Sequence, residues 1–147
     1  MSIIAHQFSP SISDSQDGLK INALGVRILA ALSNSTPPAP IVATGFRVEK
    51  VDAQKVRIFA HGAVIETRLD HVWHKTRKIL MGRIRFFALQ ADESLGDVLH
   101  TLHFDSLGNV NRSHCFTDNL ELQQEALRDV FIVLLNEVHT RMETVDL

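Results

Sequence analysis

Two pairs of histidines have a spacing that could hold a metal ion. His71 and His74 are three residues apart, as are His100 and His103. On a helix, residues three apart share a face, so His71 and His74 could both coordinate a metal. On a strand such residues point to opposite faces, which excludes His100 and His103 as a chelating pair. The chain has one cysteine and no His-Glu-x-x-His sequence. We therefore predict surface or hydrogen-bonded histidines and no metal site.

Nucleophilic catalysis has little support in this sequence. Cys115 is the one thiol, and the adjacent His114 would point to the opposite face of a strand, so it could not activate the thiol. The chain contains no Gly-x-Ser-x-Gly turn and no glycine-rich phosphate-binding loop. We predict no catalytic residues and no cofactor, which favours a protein that is not an enzyme. An enzyme or small-ligand carrier with a pocket between sheet and helix, using His100 or His114, remains an alternative.

A basic segment is the most suggestive feature for binding. Residues 72–91 contain five basic side chains and no acidic one, and Arg68 stands just upstream. The predicted contacts with nucleic acid or an acidic partner are Arg68, Lys75, Arg77, Lys78, Arg83 and Arg85. Interleaved aromatic residues such as Trp73 and Phe87 could stack on bases while the cations contact phosphates. A nucleic-acid-binding regulator is therefore one hypothesis, and a basic face that meets an acidic protein surface is another.

The charge is unevenly distributed along the chain. The net charge is −2, yet residues 41–90 carry ten basic and four acidic groups, and residues 91–147 carry three basic and eleven acidic groups. Such asymmetry can indicate a surface for nucleic acid or for an acidic partner. A basic sheet packed beside an acidic helix in the same molecule would give the same numbers, and we favour that second interpretation.

Length and composition indicate a globular protein. With 147 residues, 45% of them hydrophobic and 22% charged, the chain can bury a core as a single domain over residues 1–147. We expect residues 1–13 to be a flexible N-terminus. A lone cysteine suits a reducing compartment, and the sequence shows no secretory signal and no apolar run that could span a membrane. These features predict a cytoplasmic location.

The elements that would position these side chains can be read from periodicity. Apolar residues at helical intervals predict a first helix over residues 15–33, in which Gly25 marks close packing on another element. A proline-rich connector at 36–40 precedes strand-like alternation over 42–49. The inward phase then flips between Ala60 and Ala63, which predicts a two-residue hairpin turn at His61 and Gly62.

The middle of the chain gives a less regular pattern. Residues 69–78 are interpreted as one or two helical turns, followed by a strand over 79–89 with Arg83 and Arg85 opposite the apolar face. Strands over 98–105 and 109–116 would form the last hairpin, with a turn at 105–108.

A long amphipathic helix over residues 119–143 closes the chain. Its main apolar stripe must be covered by the core. Besides that stripe, a second small apolar strip with the isolated Ile132 suggests coverage from a second side. We predict that this strip forms the dimer or partner surface, through Leu122, Ala126, Ile132 and Val133.

Together these elements predict an α+β fold, an antiparallel sheet of five to six strands with an N-terminal helix and a long C-terminal helix packed on it. The sheet could be strongly curved or barrel-like. The order of three strands, a helix and further strands resembles an OB-type barrel, although the two flanking helices depart from that pattern. The leading functional hypothesis is a non-enzymatic regulatory protein that acts as a homodimer and recognises another protein. No membrane partner is expected.

Overall fold

The computed structural model describes residues 11–35, 45–110, 114–115 and 120–147, with the side chains of 11–16, 114–115 and 120–123 excepted. Helix α1 (Ser11–Asn34) comes first, and helix α2 (Leu120–Arg141) comes last. The strands between them are β1 (Arg47–Asp52), β2 (Lys55–Ala60), β3 (Ala63–His74), β4 (Ile79–Leu89), β5 (Leu95–Phe104), β6 (Asn109–Val110) and β7 (His114–Cys115).

The strands form one antiparallel sheet in chain order, from β1 to β7, so each strand pairs with its neighbours along the chain. The sheet is curled into a half-barrel, and the predicted α+β class is confirmed. The hairpin turn at His61 and Gly62 is confirmed as well, with Ala60 paired to Ala63 and positive φ angles of 52° and 80° at the two turn residues. Two residues with positive φ match the twist of the flanking strands.

Both helices pack on the same face of the sheet, here called the inner face. The inner side chains alternate along each strand, as a half-buried sheet requires. The core that they form with the helices comprises Ile21, Leu24, Ile28, Leu29, Leu32, Phe46, Val56, Ile58, Ala60, Ile65, Ile84, Phe86, Leu99, Leu102, Phe104, Val110, Leu127, Val130, Phe131, Leu134 and Val138. The rings of Phe46 and Phe131 lie edge to face with centroids 5.1 Å apart, so α2 contacts the chain just before β1. The same helix also packs on β5.

Helix α1 approaches the sheet closely, and two glycines allow it. A Cβ at Gly25 would lie 2.6 Å from a methyl carbon of Leu69 on β3, so the predicted close packing is confirmed. On β4, a Cβ at Gly82 would collide with the ring of Phe104 and lie 2.8 Å from Ile21. The ring of Phe104 thus occupies the space that a side chain at position 82 would need.

The predicted helical turns over residues 69–78 are wrong. Strand β3 continues to His74, a turn covers 75–78, and β4 starts at Ile79. Pairing between Asp70 and Arg83 and between Trp73 and Leu80 extends the β3–β4 ladder almost to the turn. This pairing with a partner strand outweighs a weak local helical pattern. Without the short helix, the element order that resembled an OB-type barrel is not present.

Other boundaries also differ from the predictions. The strand expected over 109–116 is instead split into β6 and β7, which pair with each other through Asn109 and Cys115. The turn before β6 is confirmed, with Gly108 at φ 91° and the Asp105 carboxylate accepting hydrogen bonds from the backbone N–H groups of Leu107 and Asn109. Helix α1 begins at Ser11, so 11–13 of the predicted flexible N-terminus are helical, and 1–10 lie outside the described residues. Residues 36–44, with the proline-rich connector, also lie outside them.

Candidate functional site

The outer face of the sheet, opposite the helices, carries the largest group of charged side chains in the middle strands. Alternation along β2, β3 and β4 places Arg57, Arg68, Arg83 and Arg85 there, together with the carboxylates of Glu66 and Asp70. We call these six residues the arginine face. Within the described part of the chain, both helices pack on the other side of the sheet, and the four arginine side chains are between 27% and 41% exposed.

Asp70 holds two of these arginines. Arg83 donates from Nε to Oδ1 at 2.8 Å and from Nη2 to Oδ2 at 2.6 Å, and Arg85 donates from Nη2 to Oδ2 at 2.8 Å. The two-pronged bond fixes the plane of the Arg83 guanidinium. Hydrogen bonds from Arg83, supported by the charge of Arg85, hold the pKa of Asp70 below its usual range, although partial burial opposes the shift. The same contact raises the pKa of Arg83.

Glu66 holds the other two arginines. Its side chain is 2% exposed, Arg57 donates from Nε to Oε1 at 3.1 Å, and Arg68 Nη2 lies 2.7 Å from Oε2. A buried carboxylate is stable only when opposite charges and hydrogen bonds offset its lost hydration. Arg57 and Arg68 supply both the charge and the hydrogen bonds to Glu66, on the sheet face away from the two helices.

The face therefore has an excess of positive charge. Its four guanidinium groups outnumber its two carboxylates, and the exposed carboxylate of Glu93, 3.7 Å from Arg57, offsets only part of the excess. Arg68 and Arg85 occupy directly paired positions of β3 and β4. Among the described residues, the buried Nε atoms of these two arginines have no hydrogen-bond partner. The surface can thus attract an anionic group.

A cleft of about 540 Å³ lies beside the arginine face at the β3–β4 hairpin. Its lining comprises Val72, Trp73, His74, Lys75, Thr76, Met81 and His103. Trp73 is 54% exposed, which is unusual for the residue type. It pairs with Leu80, so alternation turns its side chain toward the inner side of the sheet, away from the arginines. Burial, together with the nearby charge of Arg83, lowers the pKa of His103. The cleft combines apolar surface with basic groups, and it can take a partly apolar, partly anionic segment.

The predicted basic residues fall into two places. Arg68, Arg83 and Arg85 lie together on the arginine face, whereas Lys75, Arg77 and Lys78 lie in the turn between β3 and β4. Arg77 lies 3.8 Å from the carboxylate of Asp105, so it meets the acidic half of the chain. Among the described residues, Arg68, Arg83 and Arg85 pair with carboxylates of β3. Arg57 also lies 3.7 Å from the carboxylate of Glu93, which belongs to the acidic half of the chain.

Three members of the arginine face were not predicted from the sequence. Arg57 lies upstream of the basic segment, and Glu66 and Asp70 were not considered as its partners. The strand alternation of the sequence already placed opposite charges on one face. Arg57 pairs with Glu66 across β2 and β3, and Asp70 pairs with Arg83 across β3 and β4. Finding it required the hairpin register between residues 69 and 84, which the predicted helical turns obscured.

The residues of α2 that were predicted as a dimer or partner surface differ in their exposure to solvent. Ala126 is buried, Val133 is half-buried and Ile132 is 42% exposed. The side chain of Leu122 lies outside the described residues. Within this predicted dimer surface, Ile132 is thus the side chain with the largest described exposure.

The metal-chelating geometry considered for His71 and His74 is wrong, because both lie on strand β3 and three-residue spacing turns them to opposite faces. His71 instead contacts Asn22 of α1 at 2.8 Å, and the backbone N–H of Arg77 donates to His74 Nδ1 at 3.0 Å. In the described part of the chain, no three histidine, cysteine or acidic side chains cluster as a metal site would require.

The histidine named for a pocket between sheet and helix is packed against an aromatic ring. His100 lies with its ring centroid 5.9 Å from that of Phe86. Burial lowers its pKa, and the charge of Glu137 on α2 partly opposes that shift. The side chains of His114 and Cys115 lie outside the described residues.

Neither described helix has a stretch long and apolar enough to cross a membrane. Comparison with known proteins finds no family model, no curated protein and no solved structure that matches this chain.

Proposed function

We propose that this chain is a non-enzymatic cytoplasmic binding protein that recognises an acidic partner protein through the arginine face and the adjoining cleft. The observation that carries the proposal is the arrangement of four arginines on the sheet face away from the helices, each held by Glu66 or Asp70. These carboxylates hold the guanidinium groups in place before binding. The arginine side chains therefore lose less conformational entropy when a partner binds.

The composition of the surface supports a protein partner. Interfaces between proteins are enriched in arginine, methionine and aromatic residues, and binding energy concentrates on tryptophan, tyrosine and arginine. On the outer side of the sheet, the cleft offers Met81, and the face beside it offers Arg83 and Arg85. The residual positive charge favours an acidic partner, whose attraction would mainly increase the association rate.

A nucleic-acid partner is the second candidate, favoured by the β3–β4 turn. Lys75 and Lys78 are exposed there next to the exposed ring of Trp73. Lysines can contact phosphates while an aromatic ring stacks on a base.

The proposal also includes self-association as a homodimer, through a separate surface on α2. Ile132 would be its centre, because its apolar side chain is substantially exposed on that helix. Light scattering on the Ile132→Asp variant tests this surface. A dimer that becomes a monomer supports it, and unchanged mass argues against it.

The binding proposal is tested by purifying the tagged protein from its own cells and identifying the proteins and nucleic acids that co-purify with it. Absorbance ratio detects nucleic acid, and quantitative mass spectrometry identifies proteins, with and without nuclease. The variants Met81→Ala and Arg85→Ala should each lose the accompanying protein, whereas Arg128→Ala, on the exposed side of α2, should retain it. Equal retention by all three variants would contradict the proposal. Loss of all bound material on nuclease treatment would favour the second candidate.

A further inference from the structure

Arg68 and Arg85 are directly opposite each other on neighbouring strands, on the same face of the sheet. Side chains in such a pair begin about 5 Å apart, and two like charges there destabilise the sheet. Glu66 and Asp70 relieve part of the repulsion, since each binds one member of the pair from its own side. Their remaining mutual repulsion favours a further anion that both arginines can contact.

The hydrogen bonding of the pair is incomplete in the same region. Within the described residues, Nε of Arg68 and Nε of Arg85 are buried and lack an acceptor. A buried donor without an acceptor destabilises the folded state. Their side chains are 41% and 31% exposed, so a ligand can reach the outer part of each guanidinium.

The two paired arginines indicate the kind of anion. A phosphorylated side chain carries about −1.5 to −2 at neutral pH with three acceptor oxygens, so one such group can accept from both Arg68 and Arg85. A single carboxylate carries half of that charge. A phosphodiester of nucleic acid also carries one charge per group, and it is best met by cations spread along a groove. Here the unsatisfied donors are concentrated at one arginine pair.

We propose that Arg68 and Arg85 bind the phosphate group of a phosphorylated side chain on the partner protein, with Arg57 and Arg83 flanking it. This inference rests on the proposed function and names the chemical group that the arginine face recognises. Recognition of phosphorylated segments by arginine clusters follows from the fork of donors that a guanidinium presents. Glu66 and Asp70 serve as positioning residues, because they bind the arginines and not the ligand.

The inference is tested directly on the two unsatisfied donors. Proton–nitrogen NMR of the full chain resolves arginine Nε–H groups, and their loss in Arg68→Lys and Arg85→Lys assigns them. Inorganic phosphate and O-phosphoserine, added at constant ionic strength, should shift both resonances along one saturable curve. Each lysine variant keeps its charge but lacks the Nε–H donor. We expect each to bind phosphate roughly tenfold to a hundredfold more weakly. Arg47→Lys, a change on exposed β1, should bind as the wild type does.

Several results would overturn the inference. Nε–H resonances that phosphate leaves unshifted, or shifts without saturation, would refute the site. Phosphate binding by the lysine variants as tight as that of the wild type would also refute it, because it would indicate attraction by charge alone. Glutarate binding as tightly as phosphate would assign the site to carboxylates, and a thymidine oligonucleotide binding there more tightly than O-phosphoserine would assign it to nucleic acid.

A second arm separates this inference from the proposed function. Phosphatase treatment should release the captured partner protein. Capture that depends on Arg85 but resists phosphatase would refute the phosphate site and leave the proposed function standing. Capture that does not depend on Arg85 or Met81 would refute the proposed function itself.

Discussion

Replacing the buried carboxylate at Glu66 tests how the arginine face is held together. In Glu66→Gln the shape is nearly conserved, but the charge is lost, and the amide nitrogen would face an arginine donor. Two contacts are affected, Arg57 Nε to Oε1 at 3.1 Å and Arg68 Nη2 to Oε2 at 2.7 Å. Hydrogen bonds to charged groups contribute about 1.5–3 kcal/mol each.

The expected loss is smaller than the sum of these contributions. Removing one member of a fully buried ion pair costs about 3–5 kcal/mol because the other charge stays buried. Here Arg57 and Arg68 are 30% and 41% exposed, so water can hydrate them after the change. The glutamine oxygen also keeps one acceptor. We therefore expect Glu66→Gln to lower the free energy of unfolding by about 1–3 kcal/mol, with a Tm lower by several degrees.

Urea denaturation followed by far-ultraviolet circular dichroism measures this change at neutral pH. The matched control is Glu49→Gln, because Glu49 and its partner Arg47 are 3.9 Å apart and both are exposed. That control should differ from the wild type by less than about 0.5 kcal/mol. A Glu66→Gln variant as stable as the control would refute the reasoning, since it would mean that the arginines do not need the carboxylate.

Three further predictions concern packing and pH. Gly82→Ala should lower the free energy of unfolding by about 1–3 kcal/mol in the same denaturation assay, because its Cβ would overlap the ring of Phe104. The control is Gly18→Ala in α1, whose Cβ would lie 3.7 Å from His71 and Leu80, an ordinary contact distance, so stability should be unchanged or raised. The folded-state pKa of His100 is lowered by burial, so between that pKa and about 6.5 the unfolded chain binds more protons. Stability should fall as pH falls through that window, and His100→Gln should reduce the slope; an unchanged slope would contradict the assignment. The pKa of Asp70 is lowered in the folded state, so its ion pairs should contribute fully to stability above about pH 3.8. That contribution should be lost as the pH falls through the folded-state pKa, and Asp70→Asn should not show this loss.

Much of the fold could be predicted because local signals agreed with it. The change of inward phase between Ala60 and Ala63 required a tight turn, and the glycine at position 62 supplied one. The alternation over residues 79–89 predicted β4 and its two outward arginines. In these segments the period of the apolar residues and the turn residues pointed to the same structure, which is the condition for reading a fold from one sequence.

The arginine face was predicted only in part because its assembly depends on pairing over longer distances. Residues 69–78 carry mixed local signals, and their strand conformation is decided by hydrogen bonding to β4. Once β3 is extended to His74, Asp70 is placed beside Arg83 and Arg85. The division of residues 109–116 into β6 and β7 was missed for a similar reason, since no apolar period marks a two-residue strand.

The chain-order arrangement of the strands has a consequence for folding kinetics. Each strand pairs with the next one along the chain, so every hairpin closes a short loop at a small cost in entropy. Sheets built from such local contacts fold faster than those whose partner strands are distant in sequence. The contact between Phe46 and Phe131 is different, because it joins the region before β1 to the last helix. We expect the hairpins to form early and the docking of α2 to complete folding. Truncating Phe131 to alanine would then accelerate unfolding far more than it slows folding.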